Sequence, residues 1–116
     1  EILNLRGEVN IVILSGNLSY ASARSLMTHI SADAKAHKAT IFDFTHTTYV
    51  DTSAALAIEE AIDFTLETTK GIFISGLAKP VSSTMLSLNV LKAIPKKHIT
   101  SCLIDAMHMA RLHINS

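Results

Sequence analysis

The sequence is poor in the residues on which several kinds of protein depend. Its 116 residues include no tryptophan, one cysteine, two prolines and four glycines, and only 5% of them are aromatic. Ten basic residues balance ten acidic ones, so the formal net charge is zero. Such a chain has neither the basic surface nor the rings on which nucleic-acid binding depends. We therefore expect no nucleic-acid partner.

Cysteine and long apolar runs are scarce as well. The single cysteine, Cys102, cannot form an internal disulfide, which fits a reducing compartment. It lies in the apolar run 99–104, which predicts a buried structural thiol. No apolar run approaches the ~18 residues of a membrane-spanning helix, and no signal peptide is recognisable. Because the first residue is Glu1 and not Met, we expect a fragment of a longer chain that does not itself insert into the membrane.

Motifs of the common enzyme and metal-binding classes are missing. The chain contains no GxxxxGK[ST] phosphate loop, no GxGxxG fingerprint and no GxSxG nucleophile elbow. His108 and His113 are five residues apart, which does not place them on one helix face as in HExxH, and both are expected at the surface. Asp43 and Asp51 are conceivable as an acid/base pair, but Asp51 is better explained as a helix cap. We predict no metal site and no catalytic residue.

What the sequence does contain is a regular alternation of strand and helix patterns. Apolar runs of strand type occupy residues 2–5, 9–14, 40–44, 72–77 and 99–104, and a helical pattern follows each run from the second onward. This order predicts a single α/β domain over residues 1–116, with a mostly parallel central sheet and about four helices. The turn Arg6-Gly7-Glu8 between the first two runs predicts an N-terminal antiparallel hairpin at the edge of that sheet.

The stretch 49–58 joins the third strand pattern to a helix. Asp51, Thr52 and Ser53 lie at the junction, where each side chain can accept a hydrogen bond from the free N–H groups of the first helical turn. The positive end of a helix also favours an anion. Two interpretations therefore stay open. The commoner one is an ordinary N-cap, and the other is a hydroxyl placed to carry or contact a phosphate.

The helix predicted over residues 53–67 has two unlike faces. The apolar stripe that should face the sheet consists of Ala55, Ile58, Ile62 and Leu66. Another side carries the acidic residues Glu59, Glu60, Asp63 and Glu67. No Lys or Arg is interleaved with them, so no ion pairs between successive turns stabilise this face. It is either a solvated face, which is the more frequent case, or a surface that docks a basic partner.

Two motifs make the chain similar to the STAS domain, the module named for sulfate transporters and anti-sigma-factor antagonists. Asp51-Thr52-Ser53-Ala54, placed after a strand, resembles the family's D-[ST]-[ST]-[GA]. The segment 16–23, GNLSYASA, resembles the G-x-L-x-[FY]-A-x-A segment in the cytoplasmic domain of SulP-type anion transporters. The resemblance covers essentially the whole chain and implies a STAS-like fold without catalysis.

The resemblance also implies roles for single residues. In the antagonist branch the third residue of the first motif is the hydroxyl that a partner kinase phosphorylates. This implies that Ser53 is a phosphoacceptor-like switch, with Asp51 and Thr52 supporting its loop. The antagonists usually carry Gly where this chain has Ala54.

The first function implied is a regulatory domain at the cytoplasmic end of a SulP-family sulfate permease, on the inner face of the bacterial inner membrane. Its partners would be the transmembrane part of its own permease and a cytoplasmic regulatory protein. The alternative is a free anti-sigma-factor antagonist switched by phosphorylation at Ser53. Some family members bind guanine nucleotides, but no phosphate loop supports that here, so we expect no cofactor.

Overall fold

A β-sheet with its strands in chain order lies at the centre of the computed structural model, which describes residues 2–5, 9–33, 38–68 and 71–115. Its strands are β1 (Ile2–Leu5), β2 (Val9–Leu18), β3 (Ala39–Val50), β4 (Gly71–Ser75) and β5 (Ile99–Thr100). The α-helices are α1 (Tyr20–Asp33), α2 (Thr52–Thr68), α3 (Val81–Ser87) and α4 (Leu103–Asn115), and a 3₁₀ turn (Lys96–His98) precedes β5. Strands β2 to β5 are mutually parallel. The predicted α/β fold with a mostly parallel sheet and about four helices is confirmed.

The first strand, β1, lies antiparallel to β2 at the edge of the sheet. Ile2 is opposite Val12, and Leu5 is opposite Val9. The turn Arg6-Gly7-Glu8 lies outside the described residues, so the hairpin as a whole stays a prediction. The rim of the sheet described below is formed by the parallel strands β2 and β3.

Alternate side chains of the parallel strands enter two separate cores, as the two-residue period of a strand requires. On one side, Val12 and Phe42 pack with residues of α1, α2 and α3. On the other side, Ile41 and Phe73 pack against Ala106 and Ala110 of α4. Right-handed crossovers between strands that are neighbours in order place successive helices on the same face. Three helices therefore cover one face of the sheet and α4 covers the other.

Strand β3 is longer than predicted. The sequence suggested a strand over residues 40–44 followed by a polar connector, but the strand continues to Val50. The end of β2 provides the reason, because Ser15 pairs with His46 and Leu18 pairs with Val50. These pairings give backbone hydrogen-bonding partners to a segment whose threonines fit a half-exposed strand.

The region around Cys102 also differs from the prediction. The strand β5 ends at Thr100, and α4 begins at Leu103, inside the apolar run 99–104 that predicted a strand. The Thr100 hydroxyl lies 3.0 Å from the Ile74 carbonyl and 3.1 Å from the Cys102 carbonyl, so its single proton is shared between two acceptors where the chain leaves the sheet. The Cys102 carbonyl then accepts from the Ala106 N–H. Cys102 is exposed, so the prediction of a buried thiol was wrong.

The inward stripe of α2 is correct for three of its four residues. Ala55, Ile58 and Ile62 are buried, whereas Leu66 remains 37% exposed. Leu66 lies in the last turns of the helix, where it lines a cavity beside Gly71 instead of entering the core.

A buried carboxylate ties the end of β4 to β3. Asp43 is 2% exposed, and its Oδ1 accepts from the Ser75 hydroxyl at 2.7 Å and from the Thr45 hydroxyl at 2.6 Å. Such charge-assisted bonds offset the cost of burying the carboxylate. The adjacent Gly76 has φ +73°, and a side chain there would collide with Thr45. Glycine thus lets the chain leave β4 close to this cluster.

Replacing Asp43 by alanine should lower the free energy of unfolding by about 3 kcal/mol, because two hydroxyls lose their charged acceptor. Urea unfolding followed by circular dichroism measures the change. The matched control is Asp63→Ala, an exposed acidic residue on α2, for which a change within about 0.5 kcal/mol is expected. Equal losses in the two variants would contradict a stabilising role for the buried carboxylate.

Candidate functional site

Two helices begin side by side at one rim of the sheet. Leu18 and Val50 are paired, so β2 and β3 end next to each other. Helix α1 begins two residues after Leu18, and α2 begins two residues after Val50. The two sequence motifs, at residues 16–23 and 51–54, are therefore brought together at the carboxyl ends of two parallel strands.

Each of these helices has a side-chain cap. The Ser22 N–H donates to the Ser19 hydroxyl at 3.3 Å ahead of α1. The Ala54 N–H donates to Asp51 Oδ1 at 2.7 Å, and the Ala55 N–H donates to the Asp51 carbonyl at 2.9 Å. The half-buried Asp51 is thus the N-cap of α2. Any further role of Asp51 in a partner-binding loop stays a prediction.

Ser53 lies in the first turn of α2 with its side chain exposed, next to the exposed Thr52. The following residues, Ala54 and Ala55, are fully buried, which fixes the orientation of this turn. The first turn of a helix presents unbonded N–H groups and the positive end of the dipole. A group attached to Ser53 would therefore meet solvent on one side and a field suited to an anion on the other. Whether Ser53 accepts a phosphate stays a prediction.

Large apolar side chains near this turn in the sequence are open to solvent. Tyr20 and Tyr49 are each 52% exposed, and Leu56 is 45% exposed. Tyr20 is the first residue of α1, Tyr49 lies two residues before Asp51, and Leu56 lies one turn after Ser53. We call Tyr20, Tyr49, Ser53 and Leu56 the rim surface. Sequence reasoning missed its apolar members, although Leu56 falls outside the inward stripe of α2, which was a usable signal.

Cations from other elements partly neutralise the acidic face of α2. Arg24 Nη1 of α1 lies 3.6 Å from Glu60 Oε2, and its guanidinium carbon lies 5.9 Å from the centre of the Tyr20 ring. Lys92 Nζ lies 3.8 Å from Glu59 Oε2.

Exposed pairs of this kind contribute about 0–1 kcal/mol each. Their main effect is therefore to make this surface less negatively charged. Of the four acidic residues, two have basic neighbours, and Asp63 and Glu67 are exposed. A docking role for Glu59, Glu60, Asp63 and Glu67 stays a prediction.

The carboxylates considered as an acid/base pair are both engaged in structural hydrogen bonds. Asp43 Oδ1 accepts from Ser75 and Thr45, and Asp51 Oδ1 accepts from Ala54. In the described parts of the chain, no group of three His, Cys, Asp or Glu side chains could hold a metal ion. Within the same ranges, no helix is long and apolar enough to cross a bilayer.

The family model of the STAS domain matches residues 3–103. A sulfate transporter family protein from Wolinella succinogenes has a similar structure, with a TM-score of 0.85 and 15% identity over 98% of this chain and 93% of that one. The SulP transporter STAS domain from Vibrio cholerae has a TM-score of 0.80 and 18% identity, covering 97% and 88% of the two chains.

An anti-sigma factor antagonist from Mycobacterium paratuberculosis is also similar, with a TM-score of 0.74 and 17% identity over 96% of this chain and 92% of that one. No curated protein sequence matches the chain. At these identities, the likeness to transporter domains and to antagonists concerns the fold they share.

Replacing Asp51 by alanine should lower the free energy of unfolding by about 1 kcal/mol, because the first turn of α2 loses its cap. Asp51→Asn should keep most of that stability, since asparagine caps helices about as well as aspartate. Chemical denaturation of the two variants beside the wild type makes the comparison. If the alanine and asparagine variants were equally stable, the bond from the Ala54 N–H would not be stabilising the helix.

Proposed function

Because the chain belongs to the STAS domain family, we propose that it is the non-catalytic regulatory domain of a SulP-type anion permease that takes part in sulfate transport. The observation that carries this proposal is the transporter-like segment 16–23, which lies at the same rim as the motif 51–54. Similarity to the two transporter-family structures supports it. In this role the domain lies at the cytoplasmic face of the bacterial inner membrane, with the transmembrane part of its own permease as first partner.

The rim surface is the part of the domain suited to that contact. Exposed tyrosines and a leucine are the kinds of side chain that anchor protein interfaces. Tyr20 begins α1, Tyr49 lies near the end of β3, and Ser53 and Leu56 lie in the first turns of α2, all with exposed side chains. A cytoplasmic regulatory protein could use the same contact, so that its binding would compete with docking onto the membrane part.

A phosphate on Ser53 would change this surface without disturbing the core. It would add a charge of about −2 at the start of α2, where the helix dipole favours an anion. Because the Ser53 side chain is exposed, the phosphate would not displace a buried group. The expected effect is therefore on partner binding more than on folding.

The second candidate is a free anti-sigma-factor antagonist that phosphorylation at Ser53 releases from its kinase. Similarity to the mycobacterial antagonist and the exposure of Ser53 favour this candidate. The departure from Gly at Ala54 is sterically harmless here, because the methyl group of Ala54 is fully buried in the core. The surface offered to a kinase is consequently that of Thr52, Ser53 and Leu56.

The coding sequence upstream of Glu1 distinguishes the two candidates. Several apolar segments of about 20 residues, each long enough to span a bilayer, are expected for the permease domain. An open reading frame that starts within a few residues of Glu1 would contradict the permease and support the antagonist.

Ser53→Asp should alter transport by the full-length permease, because it places a fixed negative charge in the rim surface. The melting temperature of the isolated domain should change by no more than about 2 °C, since the side chain is exposed. The transport rate in cells and thermal unfolding of the domain are the two measurements.

Ser101→Asp is the matched control, because Ser101 is also exposed shortly before a helix but lies outside the rim surface. It should leave transport unchanged. A large loss of thermal stability in Ser53→Asp together with unchanged transport would mean that Ser53 only supports the start of α2.

A further inference from the structure

Two histidines and a phenylalanine pack together at the opposite end of the sheet from the rim surface. The rings of Phe73 and His98 are stacked, with their centres 4.2 Å apart and their planes 26° from parallel. His113, near the end of α4, meets both rings edge-on at 5.7 Å. We call Phe73, His98 and His113 the histidine cluster. His113, which the sequence suggested to be a surface residue, is half-buried here.

The hydrogen bond of His98 identifies which ring nitrogen carries a proton. Its Nδ1 lies 3.1 Å from the Ile72 carbonyl, which can only accept, so Nδ1 carries the proton. His98 is 9% exposed, and burial lowers the pKa of its ring below the ordinary value. The bond to Ile72 opposes this shift, and the positive charges of His113 and Lys97 add to it. Burial in the closed cluster thus disfavours a second proton on His98.

The surroundings of His98 offer little compensation for a second proton. The charged and titratable groups that face it are Lys97 of the 3₁₀ turn and His113 of α4, and β4 contributes the Ile72 carbonyl. Of the described residues lining the two cavities beside the ring, none is acidic. A protonated His98 would thus lie next to basic groups with no described carboxylate to pair with it.

Two cavities leave space beside the rings of His98 and His113. One has a volume of about 380 Å³ and is bounded by Leu66 of α2 and by Ile94 and Pro95 before the 3₁₀ turn. The other has a volume of about 250 Å³ and is bounded by Met109 and Leu112 of α4. Both reach His98 and His113. A charged ring can therefore be hydrated by a local movement, without unfolding of the sheet.

The position of Gly71 explains why His113 can come so close to the sheet. A Cβ atom at Gly71 would lie 2.9 Å from two atoms of the His113 ring. The absence of a side chain at the first residue of β4 lets the last turns of α4 lie directly on the strand. The histidine cluster thus joins the C-terminal part of α4 to β4, beside the apolar core that contains Phe73 and Ala110.

We propose that the histidine cluster is a proton-operated latch, in which neutral His98 fastens the last turns of α4 to β4 and its protonation releases them. A histidine whose folded-state pKa is lowered binds fewer protons in the closed state than in the open state. The stabilisation by the latch is therefore complete above about pH 6.5, the pKa of an unperturbed histidine. It is lost as the pH falls from there through the lowered pKa of His98 in the closed state. Acidification would loosen one end of α4 and leave the rim surface in place.

Amide hydrogen exchange measured by NMR at about pH 7.5 and about pH 5 tests the latch. After correction for the intrinsic pH dependence, exchange at residues 110–114 should be faster at the lower pH. The increase should be about tenfold for each unit by which the pKa of His98 is lowered, down to the pH of measurement. Exchange at residues 54–57, behind the rim surface, should not change. A corrected rate at residues 110–114 that is the same at both pH values would overturn the proposal.

A pair of variants assigns the effect to one ring. His98→Asn keeps a side-chain donor near the Ile72 carbonyl but does not titrate, so exchange at residues 110–114 should lose its pH dependence. His108 is an exposed histidine of α4, the helix that contains residues 110–114. The variant His108→Asn should therefore behave like the wild type. Persistent pH dependence in His98→Asn would contradict the latch.

If His98→Asn failed to fold, the ring resonances of wild-type His98 would decide the matter. Their titration midpoint should lie below about 6.5 and coincide with the rise in exchange. A midpoint at or above that value would overturn the proposal.

Discussion

The pairing of β2 with β3 up to their last residues is the constraint on which the rest of the rim depends. Because Leu18 lies opposite Val50, both strands deliver their chains to the same place, and two helices begin there together. Either motif by itself would only mark the capped start of a helix. Placed side by side, they create an exposed surface in which a hydroxyl, two tyrosines and a leucine are presented by rigid elements. The parallel sheet thus brings distant parts of the sequence together at one rim.

The polar groups at the strand ends serve different purposes according to their burial. Asp43 is enclosed and binds two hydroxyls, which joins the middle of β3 to the end of β4. Asp51 is half-buried and fixes the start of α2. Ser53 is exposed and has no comparable structural task. Ser53 can therefore be modified or substituted at little cost in stability, whereas a change at Asp43 or Asp51 removes a structural hydrogen bond.

Much of this architecture could be predicted from the sequence, and the failures have physical causes. Apolar periodicity placed the helices and the parallel strands, and Asp51 was identifiable as a cap from its position before an apolar helix. The extension of β3 was missed because a polar, threonine-rich segment is typical of a loop. It becomes a strand here because the end of β2 provides backbone hydrogen-bonding partners. Cys102 was placed in a strand because apolar runs do not show where a chain turns. The histidine cluster has no local signal, since residues 73, 98 and 113 meet only through the fold.

The exposure of Cys102 has a practical consequence for work on this molecule. Cys102 is the one cysteine of the sequence, and it is exposed to solvent between β5 and α4. A maleimide dye or a nitroxide would attach there and nowhere else, without any engineered substitution. Such a label reports from the start of α4. The native chain thus carries its own attachment point for fluorescence or paramagnetic spectroscopy.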